Sequence, residues 1–164
     1  MRIYLVRHGD ADAEVPEGLG DEARALTAKS RQVLAAHFSS LADRMTGLDL
    51  VLTSPLVRAV QTAQILALIQ KHEGLLHAHR SLVPEMPVGT LDSVLREHPG
   101  RNLVLVGHQP SMGAMAAHLL GIPSFPKSVS PGTVIGIESF EEGASPPAKL
   151  LFYAAPGQPP ADSL

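Results

Sequence analysis

At 164 residues, with a net charge of −3 and no basic block, the chain is long enough for one self-supporting domain and carries no electrostatic footprint for a nucleic-acid partner. It has no cysteine, which excludes disulfides, thiolate metal sites and a cysteine nucleophile, and the absence of Trp with only 4% aromatics disfavours base-stacking platforms. No apolar run approaches membrane-spanning length and the run before Arg7 is too short for a signal segment, so the expectation is a soluble, cytoplasmic protein that holds any anion locally.

Ile3 to Val6 reads as a short strand buried on both faces. It delivers Arg7, His8, Gly9 and Asp10, and the glycine after the charged pair marks a sharp turn. The pair therefore belongs at the carboxyl end of an inner strand, where open α/β sheets place their ligand sites. Residues 11–22, rich in Asp, Glu, Gly and Pro, read as a surface loop with solvated carboxylates. From Thr27, which is placed to cap it, a helix carries Leu34, Phe38, Leu41 and Met45 at helical spacing and ends at Gly47. Leu48 to Thr53 is a second buried strand.

Ser54-Pro55 is a helix start signal, and the helix runs to about Lys71 with Arg58 in its first turn. Two faces compete as its buried side, one with Val57, Val60, Gln64 and Leu68, the other with Ala59, Ala63 and Leu66. Leu75 to Val83 alternates as one half-exposed edge strand; His77 and His79 share a face, but no third ligand is near, and no metal is expected. A short helix follows from Thr90 to His98, capped by Thr90. Asn102 to Val106 is another buried strand, ending in Gly107-His108-Gln109-Pro110 before a helix with Met112, Met115, Ala116 and Leu119 on one side. Thr133 to Phe140 and Lys149 to Ala155 read as two strands joined by a polar turn around Glu142-Gly143. The alternation predicts a three-layer α/β/α domain over residues 1–155, its central sheet mainly parallel with an antiparallel edge, followed by a loose tail over 156–164.

Two strand ends thus carry histidines and a helix start carries Arg58, and right-handed crossovers put all these positions along one rim. Arg7, His8, Arg58 and His108 in one pocket repel one another unless a multiply charged anion is the intended occupant. Phosphate matches the guanidinium forks, and a neutral histidine there has a lone pair for nucleophilic attack.

Arg7-His8-Gly9, the stretch Ser54-Pro55-Leu56-x-Arg58-Ala59-x-Gln61-Thr62, and Gly107-His108 stand in the order and spacing of the histidine phosphatase superfamily, also called phosphoglycerate-mutase-like. Within it the chain most resembles the SixA-type phosphohistidine phosphatases, and the likeness covers nearly its whole length. The resemblance implies that His8 accepts the phosphoryl group as a phosphohistidine intermediate that water then hydrolyses. Arg7, Arg58 and His108 would hold the equatorial oxygens with no cofactor or metal, and Gly9 would let the backbone turn close to the phosphate. Ser54, Gln61 and Thr62 would shape and cap the helix.

The proton donor is the incomplete part of the pattern. Glu85, in the region after the third strand, and less so Asp92, are the candidate general acids, although Pro-Glu-Met-Pro-Val-Gly does not reproduce the acid motif of the larger members. An imidazole protonated on its second nitrogen departs neutral, whereas an alkoxide needs a proton, so a weak acid favours phosphohistidine substrates. The expected partner is a phosphohistidine-bearing signalling protein, such as a histidine phosphotransfer domain. The alternatives are a small-molecule phosphomonoesterase or mutase, and a non-catalytic phosphate-binding module. The sequence leaves the oligomeric state open.

Overall fold

The computed structural model describes residues 1–140 and 146–164, so the predicted turn at Glu142-Gly143 lies outside the described residues. The strands are β1 (Arg2–Arg7), β2 (Leu50–Thr53), β3 (Leu75–Ala78), β4 (Leu103–Gly107), β5 (Val134–Glu138) and β6 (Lys149–Ala154). The helices are α1 (Ala28–Ser40), α2 (Val57–Ile69), α3 (Val88–Arg96) and α4 (Ser111–Leu120). They form the expected α/β/α sandwich, with sheet order β3-β2-β4-β1-β5-β6; β3, β2, β4 and β1 run parallel, and β5 pairs antiparallel with both β1 and β6.

Strand alternation sorts the core. Ile3, Leu5, Leu52, Leu103 and Leu105 face α3 and α4 through Leu91, Leu95, Met112 and Met115. Tyr4, Val6, Val51, Val104 and Val106 face α1 and α2 through Leu34, Phe38, Ala59, Ala63 and Leu66. This resolves the competition on α2, because Ala59, Ala63 and Leu66 are buried while Leu68 is 79% exposed. The helices following the neighbouring strands β1 and β4 therefore leave on opposite faces. A crevice opens between those two strand ends, at the switch point of the topology.

Several boundaries differ from the sequence reading. The helix from Thr27 stops at Ser40; Leu41 and Met45 stay buried but flank the 3-10 turn that follows, Ala42–Arg44. The segment from Leu75 to Val83 is not one strand, because β3 ends at Ala78 and a 3-10 turn, Arg80–Leu82, takes over. His79 caps that turn, its Nδ1 accepting from the Ser81 N–H at 3.1 Å while its Nε2 lies 3.5 Å from Glu97, so it does not share a strand face with His77. Among the described residues no group of three or more His, Asp or Glu side chains is arranged to hold a metal ion. α3 starts at Val88 with Pro87 at its cap, so Thr90 lies inside the helix rather than ahead of it.

The final residues are tied down. Ala161 exchanges both backbone hydrogen bonds with Tyr153 at 2.8 Å, and Asp162 pairs with Arg44 at 2.9 Å. The segment that composition marks as loose thus covers the outer edge of β6 by backbone pairing, an interaction that needs no side-chain pattern. Among the described residues no helix is long and apolar enough to cross a membrane.

Candidate active site

The candidate side chains sit at strand ends on the crevice or, for Arg58, in the first turn of the helix that follows one. β1 and β4 pair in register through Arg7 opposite Gly107, so His8 and His108 leave adjacent strands at the same level. Their rings lie 5.0 Å apart between centroids. β2, on the other side of β4, leads through Ser54 into α2, whose second residue is Arg58.

His8 is oriented from behind. Its Nδ1 is 2.7 Å from the Gly9 carbonyl oxygen, which can only accept, so Nδ1 holds the proton and Nε2 carries the lone pair. The Gly9 N–H in turn donates to Thr62 Oγ1 at 3.0 Å, and Thr62 donates to the Arg58 carbonyl at 2.8 Å. Gly9 is needed for a reason the sequence does not show. It does not adopt a left-handed turn; a Cβ there would lie 2.6 Å from both Leu34 Cδ1 and Ser30 Oγ, so glycine lets this backbone close onto α1. Thr62, Gln61 and Ser54 do more than shape the helix. Gln61 Oε1 accepts from the Leu26 N–H at 2.8 Å, and Ser54 Oγ accepts from the Leu56 N–H at 3.2 Å while sharing a 2.7 Å hydrogen bond with His108 Nε2.

One cation reaches the free nitrogen of His8 and a second lies nearby. Arg58, buried in the first turn of α2, brings its Nε to 3.4 Å from His8 Nε2. Arg7 Nη1 donates to the Val129 carbonyl at 2.9 Å, while its buried Nε has no hydrogen-bond partner among the described residues. Burial lowers the His8 pKa to about 4, and the charges of Arg58, Arg7 and Arg24 push in the same direction against the Gly9 hydrogen bond. His108 is lowered to about 3, first by burial and then by His8 and Arg58. Both imidazoles are therefore neutral at pH 7, and the site holds concentrated positive charge with an unprotonated nucleophile in it.

Two residues of this cluster are absent from the sequence reading. Asp21, on a 3-10 turn (Asp21–Ala23) in the acidic loop, is exposed but also paired: its Oδ2 accepts from Arg58 Nη2 and its backbone carbonyl from Arg58 Nη1, each at 3.1 Å. Its Oδ1 accepts from Arg24 Nε at 2.7 Å. These hydrogen bonds, from Arg24 first and then Arg58, hold the Asp21 carboxyl below its ordinary range. No local signal marks the pair, since Asp21 and Arg58 are separated by a whole helix and strand.

Glu85 is exposed on a left-handed turn, φ 65°, and among the described residues no hydrogen bond or ion pair joins it to Arg7, His8, Arg58 or His108. Asp92 is spent on α3 and α4, with its carboxylate 2.7 Å from Arg96 and 3.7 Å from His118. Beside the site runs a groove of about 560 Å³ lined by Val88, Gln109, Pro110, Phe125 and Val129 among others, next to His108 at one wall and to the carbonyl that holds Arg7 at the other.

Known proteins carry the same arrangement of fold and sequence. Residues 3–81 match the model of the histidine phosphatase superfamily, branch 1. The chain is 31% identical over 153 residues to the phosphohistidine phosphatase SixA homolog of Haemophilus influenzae, covering 82% of this chain and 85% of the relative. It is 33% identical over 148 residues to an uncharacterised protein of Picosynechococcus, covering 85% and 86%. Among solved structures, the protein histidine phosphatase SixA complexed with tungstate superposes with a TM-score of 0.83 at 20% identity, over 95% of this chain and 97% of that one. A putative SixA from Agrobacterium tumefaciens gives 0.79 at 22% identity, over 94% and 97%. With a neutral histidine among arginines at paired strand ends, and with these relatives in sequence and fold, the chain belongs to the histidine phosphatase superfamily and is SixA-like within it.

Proposed function

We propose that the protein is a phosphohistidine phosphatase that works through a phosphorylated His8. Nε2 of His8 attacks phosphorus, the P–N bond of the substrate breaks, and the leaving imidazole departs neutral when its other nitrogen is protonated. Arg7, Arg58 and His108 hold the phosphoryl oxygens while charge redistributes in an in-line transition state. Because the Gly9 carbonyl retains the Nδ1 proton, the phosphorylated His8 is itself an imidazolium, and water displaces it as neutral imidazole in the second half-reaction.

The observation that carries this reading is the state of the carboxylates. The carboxylate bonded to the cluster is Asp21, and two guanidiniums keep it ionised, so it is a poor proton donor; among the described residues no hydrogen bond or ion pair joins Glu85 or Asp92 to the cluster. A site built this way suits a leaving group that needs no proton. The short connections also suit a side chain presented by a protein: Ser54 to Leu56 joins β2 to α2 and His108 to Pro110 joins β4 to α4, with no inserted cap at either place. The partner under this reading is a phosphohistidine-bearing protein, and the signalling role belongs to the same proposal.

Single-turnover assays with a phosphohistidine-bearing phosphotransfer protein and with phosphomonoesters test this. The phosphoprotein should be turned over and the monoesters should not, and His8→Ala should form no phosphoenzyme while keeping its fold. Strong monoester turnover lost in Glu85→Gln would instead make this a small-molecule phosphatase, and activity in His8→Ala would overturn the mechanism.

A further inference from the structure

Asp21 sits on an exposed turn, with its own side chain 62% exposed, yet it grips a guanidinium that is only 6% exposed. The grip comes from a single residue acting twice. The backbone carbonyl of Asp21 takes Arg58 Nη1 and its Oδ2 takes Nη2, so the outer end of the guanidinium is fixed end-on. What remains is the Nε side, and Nε points at His8 Nε2 from 3.4 Å. An arginine side chain has several freely rotating bonds, and holding it costs entropy that one hydrogen bond to a nucleophile does not offset.

The second carboxylate oxygen of Asp21 extends the arrangement. Oδ1 accepts from Arg24 Nε at 2.7 Å, and Arg24 Nη1 donates to the Asp12 carbonyl at 3.0 Å. The turn is thereby closed on the start of its own loop and pressed against the first turn of α2. A carboxylate this close to a phosphate pocket repels the substrate dianion, a cost without purpose unless it contributes something to the reaction.

We propose that Asp21 is a positioning residue, which acts through Arg58 by locking it with its Nε aimed at the phosphoryl group being transferred to His8. The inference rests on the phosphatase reading above. Without the Asp21 carboxylate, the Arg58 guanidinium keeps its charge and its Nη1 bond to the backbone carbonyl but loses the second anchor that fixes its direction, so phosphate is still attracted while the transition state is held less well. A misplacement of about 1 Å at such a contact is enough to cost up to a hundredfold in rate.

The test compares wild type with Asp21→Ala, Asp21→Asn, Arg58→Ala and the double variant Asp21→Ala/Arg58→Ala, using phosphohistidine as substrate and orthovanadate as a probe of the transition-state geometry. Asp21→Ala should lower kcat about tenfold or more, leave KM within about threefold and weaken vanadate by a factor similar to the kcat loss. Asp21→Asn, which retains one acceptor oxygen without the charge, should fall between. In the Arg58→Ala background, removal of Asp21 should change kcat and vanadate affinity less than twofold, because the two residues act as one unit. Three results overturn the proposal: unchanged kcat in Asp21→Ala, an equal loss in the Arg58→Ala background, or a gain produced by a lower KM, which would make Asp21 a competing anion. If wild type fails to hydrolyse phosphohistidine, the substrate reading fails, and the vanadate cycle still decides for or against Asp21.

Discussion

The chain of contacts behind His8 predicts that a threonine which touches no substrate controls the nucleophile. Thr62→Val keeps the shape of a fully buried side chain and deletes its Oγ1. The Gly9 N–H then loses its 3.0 Å acceptor inside the protein, and Arg58 loses a 2.8 Å bond to its carbonyl, which remains within the α2 hydrogen-bond ladder. A buried donor left unpaired costs about 1–3 kcal/mol. For a domain of this size that is a fall in Tm of roughly 2–10 °C. The kinetic effect follows from geometry: Gly9 supplies the carbonyl that fixes the His8 ring at 2.7 Å, so a displaced Gly9 turns the imidazole away from in-line attack. Phosphoenzyme formation should slow by about tenfold or more, as measured by rapid-quench trapping of phosphorylated His8, with thermal melts in parallel. Wild-type melting together with wild-type phosphorylation would refute the linkage. A lower Tm with unchanged phosphorylation would show that the Gly9 carbonyl holds His8 without help from Thr62.

Four further outcomes follow from the same site. In NMR titrations the His8 imidazole should take up its proton near pH 4 rather than 6.5, and a midpoint near 6.5 would contradict the burial and arginine charges assigned as the cause. Because the unfolded chain binds that proton near 6.5 and the folded chain does not until about 4, stability is complete above pH 6.5 and falls as pH drops toward 4. The loss through His8 is on the order of 3 kcal/mol, so in urea unfolding at pH 7 and pH 4.5 wild type should lose more stability than His8→Asn by about that amount, while the acid loss through His108 is common to both. Gly9→Ala forces a methyl onto Leu34 and Ser30, and calorimetry should record a destabilisation of about 1–3 kcal/mol. Ser54→Ala removes the 2.7 Å partner of His108, and kcat should drop several-fold with about 1 kcal/mol lost from stability; unchanged kcat would mean that His108 is held by packing alone.

The site was legible to the extent that its residues are announced by their own neighbours. Arg7, His8 and His108 follow uninterrupted apolar runs, and a strand buried on both faces must end where its apolar residues end, so their place at the rim follows from periodicity. Thr27 also behaves as its position suggests, accepting from the Ser30 N–H at 2.9 Å to cap α1. Arg58 is legible from Ser54-Pro55, although Ser54 does not cap the helix: α2 begins at Val57 with Leu56 at its cap and no side-chain cap, and the Ser54 hydroxyl instead serves His108 and the Leu56 N–H. Asp21 and Arg24 were not legible, because a loop carboxylate in an acidic stretch looks the same whether water or a guanidinium faces it. The α2 face was undecided for a related reason: both candidate stripes are apolar, and only the packing against β2 and β4 shows which is covered.

The sequence by itself therefore determined the layers of the sandwich, the ends of its inner strands and the identity of the four groups that meet there, since each depends on patterns within a few residues. The tertiary structure alone decided what orients those groups: Gly9 closed onto α1, Thr62 behind Gly9, Ser54 behind His108, and Asp21 across Arg58. These are contacts between segments distant in the chain, made through single hydrogen bonds and one close backbone approach, and such contacts leave no periodic trace in the residues that make them.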